Sequence, residues 1–308
     1  MIAIVGPTAV GKSELALHLA QHFPLEIISA DSRQVYRYMD IGTNKPSLAE
    51  RARVPHHIID VVDPDQDFSL ATYHRLALEA LTAIQQKGKL PLLVGGSGLY
   101  VWSLAEGWSI PQVPPDREMR RRLEARAEQE DGRSLHSELE GIDPAAAAKI
   151  SPRNIRRVVR ALEIYYATGQ PPSQLQRKEE PGFPVLVIGL TQERSQLYRR
   201  IDGRADKMVQ RGLIEEVQHL LRKGYSPLLP SMSGIGYKQI VQFLRGEMTL
   251  PEAVDKIRHE THRLARHQYA WFRLSDSRIR WFDVTETKER ASIVALDEIK
   301  GLIEGFIS

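Results

Sequence analysis

The chain has 308 residues, 42% of them hydrophobic and 26% charged, which suits one large α/β domain with an insertion or two closely joined domains. Zero cysteines exclude disulfides, thiolate zinc sites and cysteine nucleophiles. No apolar run approaches the length of a membrane span and no basic-then-apolar leader precedes the first strand, so a cytoplasmic protein is expected.

Ile2-Ala3-Ile4-Val5 is a short, fully apolar run, the signature of a buried parallel strand. Gly6-Pro7-Thr8-Ala9-Val10-Gly11-Lys12-Ser13 follows with phosphate-loop spacing, and residues 13–20 read as an amphipathic helix. That order has a physical reason. Glycines let backbone N–H groups curl around phosphate oxygens, the helix N-terminus adds positive potential, Lys12 adds a mobile charge, and the Ser13 hydroxyl can ligate Mg²⁺.

Further strands are expected at Glu26–Ser29, His57–Asp60 and Leu90–Val94, with helices over 47–53 and 69–86 between them. Strand alternating with helix predicts a parallel sheet covered by helices on both faces, with ligands at the carboxyl ends of the strands. Asp31-Ser32 and Gly95-Gly96-Ser97-Gly98 fall on that edge beside the phosphate loop. Asp31 there can ligate Mg²⁺ through water or take a proton from a nucleophile, or it can cap a helix. No Asp closes the fourth strand, which counts against a nucleotide-hydrolysing machine.

From Val113 the texture changes. Asp116–Glu130 reads as a charged helix broken by Asp131-Gly132, and short helical stretches run on to about Ile150. This predicts a small helical insertion over residues 113–149 in a phosphate-loop core made of 1–112 and 150–308. A helix over 154–168, ended by Gly169, sets Arg153, Arg156, Arg157 and Arg160 on one arc and Ile155, Val158, Val159, Leu162 and Tyr166 on the other. The apolar arc is expected to pack on the sheet while the guanidinium line grips a phosphate backbone. A fifth strand at Val185–Leu190, basic helices over 197–221 and 256–273, and a last strand at Arg280–Val284 complete the chain. In the second of those helices Ile257, Leu264 and Trp271 share the apolar half.

Net charge is only +3, but it is unevenly distributed. Residues 1–112 carry 9 Lys/Arg against 11 Asp/Glu, and residues 151–211 carry 12 against 6. A polyanionic partner or a solvated basic surface explains this imbalance equally well.

Taken together, these segments resemble the tRNA dimethylallyltransferases of bacterial type. The resemblance rests on the phosphate loop, Asp31-Ser32-Arg33-Gln34-Val35-Tyr36, Gly42-Thr43-Asn44-Lys45-Pro46, Val94-Gly95-Gly96-Ser97-Gly98-Leu99-Tyr100, Arg160-Ala161-Leu162-Glu163, Ile235-Gly236-Tyr237-Lys238 and Trp271-Phe272-Arg273. It implies transfer of a dimethylallyl group from dimethylallyl diphosphate to N6 of an anticodon-adjacent adenosine in tRNA; a monomer is expected because the tRNA already supplies a large contact surface. Residues Gly6 to Ser13 would hold the diphosphate with Mg²⁺ at Ser13, Thr8 and Arg204 would assist the leaving oxygen, and Asp31 would be the base. Asp31, Ser32, Arg33, Gln34, Ser97 and Arg120, with Arg156, Arg157, Val158, Val159 and Arg160, match family positions that touch tRNA. One departure is Arg266-His267-Gln268-Tyr269, where the family commonly reads Lys-Arg-Gln-Leu. A small-molecule kinase, an adenylate isopentenyltransferase and a non-catalytic tRNA-binding protein remain as alternatives; basic helices without an Arg-rich lid disfavour the first, the insertion and basic face the second, and the intact Lys12-Ser13 pair beside Asp31 the third.

Overall fold

The protein is described here by a computed structural model covering residues 1–129, 132–285 and 289–308, with backbone only from 289 to 294. Strand β1 (Ile2–Val5) passes through the glycine turn into α1 (Lys12–Leu19), then β2 (Leu25–Ala30). Helix α2 (Leu48–Arg53), the two-residue β3 (His56–His57), α3 (Leu70–Gln86), β4 (Leu90–Gly95) and α4 (Gly98–Ala105) follow. Next come α5 (Arg117–Gln129), α6 (Arg133–Ile142), α7 (Pro144–Ala147), α8 (Ile155–Thr168) and α9 (Pro172–Leu175). The chain ends with β5 (Leu186–Thr191), α10 (Arg194–Gln210), α11 (Leu213–Arg222), α12 (Tyr237–Leu244), α13 (Leu250–Trp271), β6 (Ile279–Asp283) and α14 (Glu289–Ile307). Glu130 and Asp131, expected at the end of the charged helix, lie outside the described residues.

Two compact units emerge: Met1–Ser69 with Arg75–Ala105 and Phe183–Ser308, and Leu70–His74 with Glu106–Gly182. The first holds a six-stranded, fully parallel sheet in the order β3-β2-β4-β1-β5-β6. On one face Ile2, Ile4, Ile27, Leu92 and Ile188 pack with α1, α10, α13 and α14 through Leu19, Ile201, Ala265 and Ile299. On the opposite face Ala3, Val5, Ile28 and Leu93 are equally buried. A strand buried on both faces favours apolar residues at successive positions, which is why β1 reads as an unbroken apolar run; in β2 the buried Glu26 is accommodated by Lys87, Lys89 and His57.

Strand β3 is shorter than the expected His57–Asp60. Ile58 and Asp60 adopt left-handed φ values of 61° and 57°, which no strand tolerates. The Asp60 carboxylate is instead gripped by Lys45 and Arg51, each at 2.6 Å. The buried lysine also bonds Asp40 at 2.6 Å and the Tyr36 carbonyl at 2.8 Å, so the Gly42–Pro46 motif anchors the segment that follows β2.

The helical unit has its own core. Leu123 and Ala127 of α5, Leu135 and Leu139 of α6, Ala147 of α7, and Val158, Val159, Ala161 and Leu162 of α8 pack together. Two expectations are thereby corrected. The unit runs well beyond 113–149, and the apolar arc of α8 packs on α5 and α6 within it, not on the sheet. Periodicity fixes which face of a helix is buried but carries no information about what buries it.

Candidate active site

The phosphate loop leaves β1, the strand flanked by β4 and β5, and turns on two left-handed glycines. Gly6 has φ 137°, and a Cβ there would lie 2.4 Å from the Leu190 carbonyl oxygen of β5. Gly11, at φ 104°, is the N-cap of α1. Glycine at both positions is therefore dictated by the backbone before any ligand is considered. Lys12 Nζ donates to the carbonyls of Gly6 (3.0 Å) and Pro7 (2.6 Å). Burial pushes its ammonium down to about 7; the Asp31 charge opposes that fall and the Arg204 charge adds to it. Ser13 is exposed in the first turn of α1.

Across the loop, Arg204 of α10 donates from Nη1 to the Thr8 hydroxyl at 3.3 Å. Burial lowers the Arg204 pKa and the Asp31 charge raises it. Thr8, Lys12, Arg204 and Asp31 thus form one electrostatic cluster, with two basic side chains and a hydroxyl at the phosphate loop and the Asp31 carboxylate acting on both basic groups. This brings together residues 196 positions apart in sequence.

Asp31 stands at the carboxyl end of β2. Its Oδ1 accepts from the Arg33 N–H at 2.8 Å, so the residue caps a turn and not a helix. The exposed Ser32 donates its N–H to the Ser97 hydroxyl at 3.1 Å, and Ser97 donates its own N–H to the Ala30 carbonyl at 3.1 Å. These bonds tie the Asp31 segment to the glycine turn after β4. Arg33 reaches the Pro230 carbonyl at 2.8 Å, and the Gln34 amide is engaged by Ser29 and the Thr43 and Asn44 carbonyls. Gln34 is accordingly internal scaffolding for this edge. Glu216 of α11 completes it, accepting from the N–H groups of Asp40, Ile41 and Gly42 and from the Tyr237 hydroxyl at 2.6 Å.

Sequence reasoning missed Gln268 of α13. Its Oε1 accepts from the Thr8 N–H at 2.7 Å and its Nε2 donates to the Gly96 carbonyl at 3.1 Å. The signal was present, since Gln is the residue shared between the two versions of the Arg266–Tyr269 stretch. Elsewhere on α13 the apolar half is not uniformly covered: Ile257 is buried, but Leu264 and Trp271 are 41% and 46% exposed. Trp271 lies against Gly98, where a Cβ would meet its ring at 2.3 Å.

In the helical unit the guanidinium line is split. Glu163, 1% exposed, accepts from Arg120 Nε (2.9 Å) and Nη2 (2.8 Å), from Arg160, and from the Asp116 N–H at 2.7 Å. Arg160 also donates to the Val113 carbonyl at 2.9 Å. Arg120 and Arg160 are thus held inside the unit, whereas Arg156 and Arg157 are exposed. Val158 and Val159 are buried at 0% and 2%, so their side chains serve the core of the unit.

The chain as a whole is similar to known proteins. A family model described as IPP transferase matches residues 34–275. A tRNA dimethylallyltransferase of Thermomicrobium roseum is 51% identical over 286 residues, 93% of this chain and 87% of that protein. The Dehalococcoides mccartyi protein of the same name is 49% identical over 95% of this chain and 90% of its own length. Among solved structures, the tRNA isopentenylpyrophosphate transferase of Bacillus halodurans is 42% identical with a TM-score of 0.71, covering 99% of this chain and 95% of that one. A eukaryotic dimethylallyltransferase acting on tRNA is 29% identical with a TM-score of 0.82, covering 99% and 79%. With the family model matched over most of its length and half its residues shared with such relatives, the chain belongs to the IPP transferase family.

Proposed function

We propose that the chain transfers a dimethylallyl group from dimethylallyl diphosphate to N6 of adenosine 37, next to the anticodon of tRNA, releasing diphosphate. In this reaction the allylic C–O bond breaks, the diphosphate leaves with its electron pair, and a new C–N bond forms at N6. One proton of the amine then passes to Asp31. The observation that carries the assignment is the cluster itself: Arg204 bonded to the Thr8 hydroxyl at 3.3 Å, with the Asp31 charge felt by both Lys12 and Arg204.

The chemistry follows from that cluster. Negative charge develops on the leaving diphosphate, and the loop N–H groups, Lys12, Thr8 and Arg204 are fixed in advance to receive it. The adenine amine is a weak nucleophile because its lone pair is delocalised into the ring, so a carboxylate that removes its proton as the bond forms lowers the barrier. The base must leave its stack to reach Asp31. No group of three or more His, Asp or Glu side chains able to hold a metal occurs among the described residues. The Ser13 hydroxyl, exposed in the first turn of α1 beside the phosphate loop, would hold Mg²⁺ together with phosphate oxygens of the substrate. The ion would supply further positive charge to the diphosphate. Exposed Arg156 and Arg157 suit contacts to the tRNA backbone. A tRNA substrate is what supports our reading that the enzyme acts in the cytoplasm, and the large contact surface a tRNA supplies supports a monomer; separately, no described helix is long and apolar enough to cross a membrane.

The test incubates the protein with unmodified tRNA, Mg²⁺ and either labelled dimethylallyl diphosphate or labelled ATP. Label entering tRNA from the prenyl donor supports the assignment, and label passing only from ATP to a small acceptor refutes it. Asp31→Ala is expected to keep tRNA affinity and to lower the transfer rate by about 10²-fold or more. A near-normal rate in that variant would remove Asp31 from the role of base.

A further inference from the structure

The two halves of the reaction are handled by separate loops, and a single neutral side chain connects them. Gln268 is 8% exposed and lies 260 residues from Thr8 and 172 from Gly96 in sequence. Its orientation is dictated by its partners. A backbone N–H only donates, so the amide oxygen faces Thr8; a carbonyl only accepts, so the amide nitrogen faces Gly96. Glutamate would keep the first bond but has no donor for the second. The site on the Gly96 side is built around this amide, because a Cβ on Gly96 would stand 2.0 Å from Nε2. Beyond Gly96 the connection continues through Ser97 to Ala30 and Ser32, the residues on either side of Asp31.

We infer that Gln268 is a positioning residue that fixes the spacing between the leaving diphosphate and the base, an assignment that rests on the function proposed above. It touches neither substrate in this role. It holds Thr8, and with it the Thr8–Arg204 contact, at a set distance from the Gly96-Ser97 turn that carries the Asp31 segment. Transfer requires the prenyl carbon, the adenine nitrogen and the carboxylate to be in line, and small misplacements cost rate steeply. Binding of either substrate alone does not require that alignment.

The experiment uses the full chain with Gln268→Met, Gln268→Glu, Gly96→Ala and the double variant Gly96→Ala/Gln268→Met. Affinities for inorganic pyrophosphate with Mg²⁺ and for unmodified tRNA are measured beside the single-turnover rate of transfer from dimethylallyl diphosphate. In Gln268→Met both affinities are expected within about twofold of wild type while the rate falls about 30-fold, the loss of two ordinary hydrogen bonds expressed in the transition state. Gly96→Ala, which displaces the amide, is expected to give a similar drop, and the double variant no further drop, because both changes break one bridge. Gln268→Glu, which adds charge near the loop, is expected to lose rate and also weaken pyrophosphate binding, and Gly96→Ala carries the test if the methionine variant does not fold. An unchanged rate in Gln268→Met, multiplying losses in the double variant, or parallel losses of both affinities and rate would each overturn the inference. A wild-type protein that transfers no prenyl label would instead overturn the proposed function.

Discussion

Glu163→Gln changes charge without changing volume at the centre of the helical unit. The wild-type carboxylate accepts four hydrogen bonds, three of them from the guanidinium groups of Arg120 and Arg160 and one from the Asp116 N–H. Glutamine can accept some of these through its oxygen, but its NH₂ then points at a guanidinium donor. Hydrogen bonds to charged groups contribute about 1.5–3 kcal/mol each, and breaking a fully buried ion pair costs about 3–5 kcal/mol. Here the arginine side chains are 34% and 30% exposed, so water partly compensates them, and we expect a loss of about 3 kcal/mol. Urea denaturation at pH 7, followed by circular dichroism, measures it. Its pH dependence is a second check. Burial raises the Glu163 pKa, but the bonds from Arg120 and Arg160 hold it below the usual 4.5. A depressed carboxyl stabilises the fold fully above pH 4.5 and progressively less as pH falls below it, so the gap between wild type and variant must narrow in acid. A loss under about 0.5 kcal/mol at pH 7, or one independent of pH, would refute the ion-pair account.

The remaining predictions concern the other unit and the RNA contact. Burial raises the Glu26 pKa, but hydrogen bonds from Lys89, His57 and Lys87 hold the carboxyl at about 2. It should contribute up to about 3 kcal/mol above pH 4.5 that is lost toward pH 2, and Glu26→Gln should flatten that acid limb in a stability–pH series. Arg156→Ala/Arg157→Ala should lower the slope of log affinity for tRNA against log salt by about 2, measured by filter binding. Val158→Ala should leave the slope unchanged and cost about 2 kcal/mol of stability instead. Gly98→Ala should cost about 2 kcal/mol and shift tryptophan fluorescence, since its methyl must displace the Trp271 ring.

What was legible in the sequence was local or periodic. The strand–turn–helix around Gly6–Ser13 is contained in twenty residues, and β1, β4 and β5 are the near-continuous apolar runs that a doubly covered sheet favours. Strand β3 was overextended because left-handed φ at Ile58 and Asp60 is a backbone state that those side chains do not announce. The arginine arc of α8 is visible in the sequence, but spacing does not show that Glu163, three residues from Arg160, withdraws Arg160 from it and binds Arg120 of α5 as well. Gln268 stands out as the residue shared between the two versions of its stretch, but nothing in a 260-residue separation shows which backbone amide a glutamine will meet. Pairing partners belong to tertiary packing, and a single sequence carries that information only where a family motif has already recorded it.

The position of Gly6 against Leu190 bears on how the enzyme is made. A polypeptide emerging from the ribosome exposes its phosphate-loop sequence almost at once, yet the β5 backbone against which the first glycine rests is synthesised some 180 residues later. Arg204 and Gln268 arrive later still. A nascent fragment ending after the helical unit therefore carries the glycine-turn signature without the β5 backbone, Arg204 or Gln268 that pack against it, so the turn reaches its final surroundings only when nearly the whole chain has been made.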